Sequence, residues 1–402
     1  MAEPIADDGQ QGLGGEWEEL VQSAPGTPMG TFLRRFWQPI GVSTDVDVGC
    51  AATVKVLNEN YTLYRGMSGK PHLVDARCAH RGTLLHTGWV EDECIRCRYH
   101  GWVYDGTGQC VEMPAEEANF PAKVSISGYP ARDYCGIIFA FLGEGAPPEF
   151  PRKPEMERSY GGIWASTQVW PCNWFQRIEN SMDAVHVSFV HQESALGESL
   201  SYSIPEISYE ETGYGIKQTA TRAADNIRIS DFSLPNCNHI VVPTYLPGVE
   251  YSARHPWSDL FNYFIPIDDE HTACYTMRSA PVPVELVDDL NEWFDQTDQY
   301  NPADFEDEIF QGIMPDNRHG DTSTALVNAQ DYVVQVGQGA IADRSRERLG
   351  KSDEGIILLR KIFRRELAAI RKGEPGNIWN NREGFARLPV PPGVPSPPDP
   401  DD

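Results

Sequence analysis

From about Thr31 to Glu144 the chain consists of short apolar or alternating runs, TVKVL, YTLYRG, HLVDA, CIRCRYHGWVYD and GIIFAFLG, cut by Asp105-Gly106 and Thr107-Gly108. Runs of this length, rich in Val, Tyr, Ile and Phe between turn residues, predict strands and hairpins, hence a small all-β domain over 31–145. The Pro-rich stretch GEGAPPEFPRKPEM at 143–156 predicts a linker. Beyond it, strand-like segments (IWASTQVW, GIKQTATR, HIVVPTYL, LFNYFIPI, HTACYTMR) are mixed with helical ones without βαβ alternation. That order predicts an α+β second domain over 157–387 with an antiparallel sheet. Residues 1–30 remain as an N-terminal segment. Residues 388–402, with seven prolines between Pro389 and Pro400, read as an extended tail.

Two helices stand out. Phe175, Ile178, Met182, Val185 and Phe189 are spaced 3, 4, 3 and 4, an apolar stripe at helical period. Ile356, Leu359, Phe363, Leu367 and Ile370 repeat it near the end, with Ser352 placed to cap, Asp353 and Glu354 suiting the first turn and Gly373 the stop.

Composition narrows the function. Lys and Arg number 33 against 59 Asp and Glu, a net charge of −26, which excludes nucleic acid and anionic lipid as partners. No secretory signal is visible, and the longest apolar run, Gly136 to Leu142, is far short of the ~20 residues of a membrane helix. A soluble, cytoplasmic protein is expected. Eleven acids and no Lys or Arg lie between Arg278 and Arg318, read as a solvated insertion or a docking surface for a basic partner. Nine cysteines, an odd number without a signal peptide, argue against a disulfide framework.

Two of those cysteines have company. Cys78-Ala79-His80 is followed after sixteen residues by Cys97-Arg98-Tyr99-His100, each pair beside a turn. Zinc in a closed Cys2His2 site and a Rieske 2Fe–2S cluster both use two thiolates and two imidazoles. A zinc finger pairs Cys with Cys and His with His. Here each loop supplies one of each, as a two-iron cluster requires, with Cys78 and Cys97 on one iron and His80 and His100 on the other. Cys94, three before Cys97, reads as a structural cysteine.

A second constellation lies on the first striped helix. Asn180, Asp183 and His186 are each three apart and share a face, and His191 follows five residues later, about 140° further round. For both imidazoles to meet one ion, the helix must end or distort near Ser188. Two His and a carboxylate with open positions is the ligand set of non-haem Fe(II) oxygenases.

These residues carry a family resemblance. GTPMGTFLRRFWQP at 26–39, the Cys/His pairs, CNWFQRIENSMDAVHVSFVH at 172–191, FIPIDDEHT at 264–272 and QDYVVQVGQGAIADRSRERLGKSDEGI at 330–356 resemble the oxygenase (alpha) component of Rieske non-haem iron aromatic-ring hydroxylases, in the phthalate-dioxygenase-like branch. The resemblance implies a helix-grip (StAR-related lipid-transfer-like) catalytic domain. It implies His186 and His191 as ligands of the mononuclear Fe(II), Asp331 as the third, Asp183 as a carboxylate bridging to a Rieske histidine of a neighbouring subunit, and Asn180 lining the site. Spacing alone does not separate Asp331 from Asp321 or Asp343. The implied activity is O2 activation to hydroxylate or O-demethylate a small aromatic substrate, carboxylated or methoxylated, with ring cis-dihydroxylation of phthalate type as the alternative. A Rieske electron carrier without oxygenase activity is the remote reading. Implied partners are a separate NAD(P)H-dependent reductase, alone or with a ferredoxin, and further copies of the chain in a trimer or stacked trimers. An anionic substrate needs local positive charge, for which Arg222 and Arg228 are candidates and Arg254 a weaker third.

Overall fold

The computed structural model describes residues 15–157, 162–193, 203–223, 226–243, 257–280, 287–298, 300–315, 323–377 and 379. It opens with two short helices that the strand-dominated reading of this end did not predict, α1 (Gly15–Val21) and α2 (Pro28–Leu33), the second crossing the boundary drawn at residue 30. Thr27 caps α2, its Oγ1 accepting from the Gly30 N–H at 3.0 Å. A Cβ at Gly30 would lie 2.1 Å from the Ala24 carbonyl oxygen, so the chain reverses there only with glycine.

The predicted β domain follows as eleven described strands in three antiparallel sheets. β1 (Trp37–Val42), β10 (Ala131–Tyr134) and β11 (Ile137–Phe141) form one, in the order β1-β11-β10. β2 (Ala51–Val56), β3 (Glu59–Arg65), β4 (Pro71–Asp75) and β9 (Gly128–Tyr129) form the second. The third is a meander of β5 (Trp89–Glu91), β6 (Cys94–Arg96), β7 (Val103–Tyr104) and β8 (Cys110–Glu112). Its β7–β8 turn is the expected one, with Asp105 Oδ1 accepting from the Thr107 and Gln109 N–H groups and Gly108 at φ +83°. This meander has its own small core, in which Tyr64, Ile95, Trp102 and Tyr104 surround Cys78 and Cys97.

The second region is built on one seven-stranded antiparallel sheet in the order β12-β18-β17-β16-β15-β14-β13. These are β12 (Gly162–Trp170), β13 (Glu206–Glu211), β14 (Gly215–Ala223), β15 (Asn226–Ser233), β16 (Cys237–Pro243), β17 (Trp257–Pro266) and β18 (Thr272–Ala280). Its helices are α3 (Trp174–Ser181), α4 (Val187–Val190), α5 (Val287–Asp298), α6 (Glu306–Phe310), α7 (Ser323–Val336) and α8 (Glu354–Arg371). The acidic insertion is thus partly helical, with Asp288, Asp289, Asp307 and Glu308 exposed. α8 starts one residue later than expected: a single 3-10 turn, Lys351–Asp353, precedes it, Asp353 takes the N-cap position, and Ser352 makes no cap. Gly373 ends it at φ +70° as expected.

The two regions share one core, in which Leu20, Phe32, Ile40 and Phe139 pack with Trp174, Phe264 and Phe363. The β2–β3 turn, Leu57-Asn58, adopts left-handed backbone at φ 51° and 65° and donates its N–H groups to Pro266 and Ile267. The predicted linker is therefore a packed seam, not a free tether: Phe150 and Met156 are buried and the Lys153 N–H donates to the Tyr134 hydroxyl at 2.6 Å.

Candidate functional site

The two Cys/His loops are built alike. The Gly82 N–H donates to the Cys78 carbonyl at 2.9 Å, and the Gly101 N–H to that of Cys97 at 3.0 Å. Both glycines sit at φ +73°, a left-handed position that makes any side chain there costly. Each cysteine N–H is held from behind, by the Thr83 and Trp102 carbonyls. The cysteines end up buried and the histidines exposed, side by side with ring centroids 4.4 Å apart, His80 stacked on Trp102.

Among the described residues, no three of these four ligand atoms lie within 4.8 Å of one another. A tetrahedral zinc at bond lengths near 2.0–2.3 Å needs ligand atoms roughly 3.3–3.8 Å apart. The wider spread suits two irons. Cys94 sits on β6, half-buried and outside both loops.

The Tyr104 hydroxyl lies 3.2 Å from both the Cys78 Sγ and the Ala79 nitrogen. A hydroxyl donating to a cluster thiolate stabilises the reduced state, which carries the extra negative charge. Tyr104→Phe is expected to lower the midpoint potential by about 60 mV, the one-electron equivalent of the ~1.4 kcal/mol of a hydrogen bond to a charged acceptor. A redox titration followed by EPR reads it directly, and an unchanged potential would remove Tyr104 from this role.

The second constellation departs from the predicted continuous helix. α3 ends at Ser181, several residues before the expected break near Ser188, and the chain turns through 182–186 before α4. The cause is local: Asp183 Oδ1 accepts from the backbone N–H groups of Val185 at 2.9 Å and His186 at 3.1 Å, starting a new turn. The apolar stripe breaks with it, since Phe175, Ile178 and Met182 are buried but Phe189 is 60% exposed. The turn brings the His186 and His191 rings to 5.5 Å between centroids.

Asp331, on α7, completes a cluster. Its Oδ1 lies 3.7 Å from His186 Nε2 and 3.5 Å from His191 Nε2. These three are the one group of three or more His, Cys, Asp and Glu among the described residues whose ligand atoms lie mutually within 4.8 Å. Asp343, one rival for the carboxylate, instead caps a 3-10 turn through Ser345, and Asp321 lies outside the described residues.

The donor set fits a divalent metal. His191 Nδ1 is 3.1 Å from Gln330 Oε1, and His186 Nδ1 contacts the Asp183 carbonyl closely. Both acceptors hold a proton on Nδ1, leaving the Nε2 lone pairs turned toward Asp331. Asp331 Oδ1 is buried with no hydrogen-bond donor. Burial lowers the His186 pKa. Burial also opposes charge on His191, yet Asp331 raises its pKa overall, and the two imidazoles hold the partly buried Asp331 below the usual carboxylate range. The cluster thus favours a positive charge opposite its carboxylate, which a cation supplies.

Asn180 enters through its backbone, its carbonyl accepting the Asp183 N–H at 3.1 Å. Gln330 was not singled out in the sequence, although it directly precedes Asp331. Nor was Arg177, which stacks 3.4 Å from the Trp170 ring centroid, is buried, and adds to the depression of Asp331. Glu179 accepts from Arg344 and Arg360, both at 2.6 Å, in a buried network that fixes α3 against α8.

Arg222 and Arg228 lie on the neighbouring strands β14 and β15, Arg222 at a shift in register between Thr221 and Ala223, and close enough that the charge of Arg222 acts on Arg228. Arg222 Nη2 is 3.5 Å from the Ala184 carbonyl, on the turn between Asp183 and His186, while its Nε and Nη1 are buried without acceptors. Arg228 acts electrostatically on His191. Burial lowers the pKa of both guanidiniums, that of Arg228 to about 10 with Arg222 repelling it. Arg254 lies outside the described residues.

Comparison with known proteins points to one family. Residues 36–130 match the Rieske [2Fe-2S] domain family. The chain is 32% identical over 368 residues to the 5,5'-dehydrodivanillate O-demethylase oxygenase subunit of Sphingobium sp., spanning 89% of this chain and 81% of that protein. It is 28% identical over 383 residues to the phthalate 4,5-dioxygenase oxygenase subunit of Pseudomonas putida, spanning 86% and 84%. The fold resembles the NdmA QL mutant of Pseudomonas putida CBB5 with theobromine, at TM-score 0.62 and 20% identity over 85% of this chain and 92% of that one. Among the described residues no helix is long and apolar enough to cross a membrane. With a Rieske domain followed by a helix-and-sheet domain that gathers two histidines and an aspartate, the chain belongs to the Rieske non-haem iron oxygenases, as the oxygenase (alpha) component.

Proposed function

We propose that this oxygenase acts on a small aromatic carboxylate, and that removal of an O-methyl group is its reaction. Cys78, His80, Cys97 and His100 would hold the cluster, and His186, His191 and Asp331 the mononuclear iron. When bound, these centres supply electrons and O2 activation. The protein's own part is placement. Gln330 and the Asp183 carbonyl fix the two imidazoles, and Arg222 and Arg228 take the substrate carboxylate, so that the far end of the ring lies toward the triad.

The observation that carries this reading is the pair of adjacent, partly buried guanidiniums beside the iron turn, lacking a carboxylate partner among the described residues. Like charges in such a site repel, and a bidentate carboxylate relieves both. O-demethylation is favoured over ring cis-dihydroxylation by the 32% identity to an O-demethylase subunit, against 28% to a phthalate dioxygenase subunit.

Electrons would come from a separate reductase, alone or with a ferredoxin. The exposed histidines at the cluster support delivery between subunits of a head-to-tail ring, a trimer or stacked trimers.

Single-turnover product analysis tests the reaction. Reduced, iron-loaded protein given O2 and methoxylated benzoates should release formaldehyde and a phenol; a cis-dihydrodiol would transfer the assignment to the dioxygenase reading. For the clamp, Arg222→Ala is expected to raise KM for an aromatic acid about tenfold or more with little change in kcat. An unchanged KM would eliminate Arg222 as a substrate contact.

A further inference from the structure

A cavity of about 220 Å³ lies at the seam where α2, the 143–156 stretch, β16–β17 and residues 375–379 meet. It is on the opposite face of the sheet from the iron. Cys237 and Tyr263, paired in register on β16 and β17, line it. The next residue, Phe264, points the other way and packs 5.0 Å from Arg177, which acts on Asp331.

Lys153 lines this cavity at 8% exposure. No carboxylate or carbonyl partners its ammonium among the described residues, and its contact is the face of Phe261, 5.4 Å from the ring centroid. A cation–π contact offsets only part of the cost of drawing an ammonium out of bulk water. An ammonium that faces the cavity without an ion pair among the described residues, the buried Glu155 two residues on acting on the same Cys237 but not paired with Lys153, suits an anion from outside the chain. Arg35, half-buried on the same cavity, donates to the Pro375 carbonyl at 2.6 Å and has no acidic partner among the described residues. Glu149, the carboxylate of the lining, is exposed and pairs with neither cation. The remaining walls include Phe36, Trp37 and Trp379, and the Trp379 indole N–H is buried without an acceptor. Cavities for drug-sized ligands run to roughly 300–1,000 Å³, so this one suits a single ring.

We propose that this cavity is a second ligand site, separate from the iron centre, for a small aromatic carboxylate, with Lys153 taking the carboxylate and the tryptophans flanking the ring. The ligand would bridge the N-terminal helices, the seam and the C-terminal segment. This proposal does not rest on the reading of the iron site.

Calorimetric titration of the holoprotein with benzoate tests it, on an Arg222→Ala, Arg228→Ala background that weakens binding beside the iron. One benzoate per chain should still bind. Adding Lys153→Met should remove that site or weaken it about tenfold or more, and Lys153→Arg should keep it. Removing an unpaired buried charge is not destabilising, so the Lys153→Met protein should melt no lower than its parent. Saturating benzoate should raise the melting temperature of the parent but not of Lys153→Met. No benzoate bound on the double-Ala background, or a stoichiometry and affinity unmoved by Lys153→Met, would overturn the proposal.

Discussion

Asp331→Ala protein is expected to keep its cluster, with two irons and acid-labile sulfide per chain, to lose the mononuclear iron, and to form no product in a single turnover. The carboxylate supplies the only negative charge of the triad, its Oδ1 3.7 and 3.5 Å from the two Nε2 atoms. Without it the site is two neutral imidazoles in a buried setting. Loss of an outer partner of a metal-binding histidine costs roughly 10–100-fold in affinity, and loss of a ligand should exceed that. Asp343→Ala is the control. Asp343 holds a surface turn through Ser345, so its removal should leave three irons per chain and full turnover. Metal analysis after desalting separates the two variants; a third iron retained by Asp331→Ala and lost by Asp343→Ala would reverse the ligand assignment. Gln330→Ala should fall between them, because His191 keeps its Nε2 but loses the acceptor on Nδ1.

The difference between these residues is also what could and could not be read along the chain. Cys78 with His80, and Cys97 with His100, lie within single turns, so a local spacing rule finds them. The strands of both regions were legible where apolar runs met turn residues. β1 was not, because all six of its residues are buried and Pro39 interrupts the run, so no alternation marks it. The break after α3 was invisible for the opposite reason. Met182 and Val185 continue the helical period whether or not the helix continues, and only the Asp183 side chain, folding back on its own backbone, decides the matter. Asp331 and Gln330 reach the site from a helix far along the chain, 139 residues separating Gln330 from His191. Periodicity carries no information about such pairings; the family resemblance alone selected Asp331. The packed seam was missed because proline-rich composition describes what the backbone cannot do, not what its Phe150 and Met156 side chains pack against.

The same folding back of Asp183 sets the form of the second test. Asp183 does two jobs in one side chain: Oδ1 caps the iron turn, while the other oxygen is not engaged in that cap. In the proposed trimer this second oxygen would accept the N–H of a Rieske histidine from a neighbouring subunit, and the Asp183 carbonyl already contacts His186 Nδ1. Asp183→Ala would confound the two, since losing the cap loosens the turn that positions His186, at about 1 kcal/mol. Asp183→Asn separates them. Its Oδ1 still accepts from Val185 and His186, so the turn and the bound iron should survive. Its Nδ2 is a donor and meets a second donor across the subunit boundary, so the bridge fails. The expected protein has three irons per chain, a cluster that reduces normally, and a single-turnover rate lower by at least the roughly 100-fold that a partner of a metal-binding histidine can contribute. Asp183→Ala should match that loss and in addition bind the mononuclear iron less tightly. A wild-type rate in Asp183→Asn, with the cluster reduced and the iron present, would mean that electrons reach the mononuclear site by another path and that Asp183 serves the turn alone.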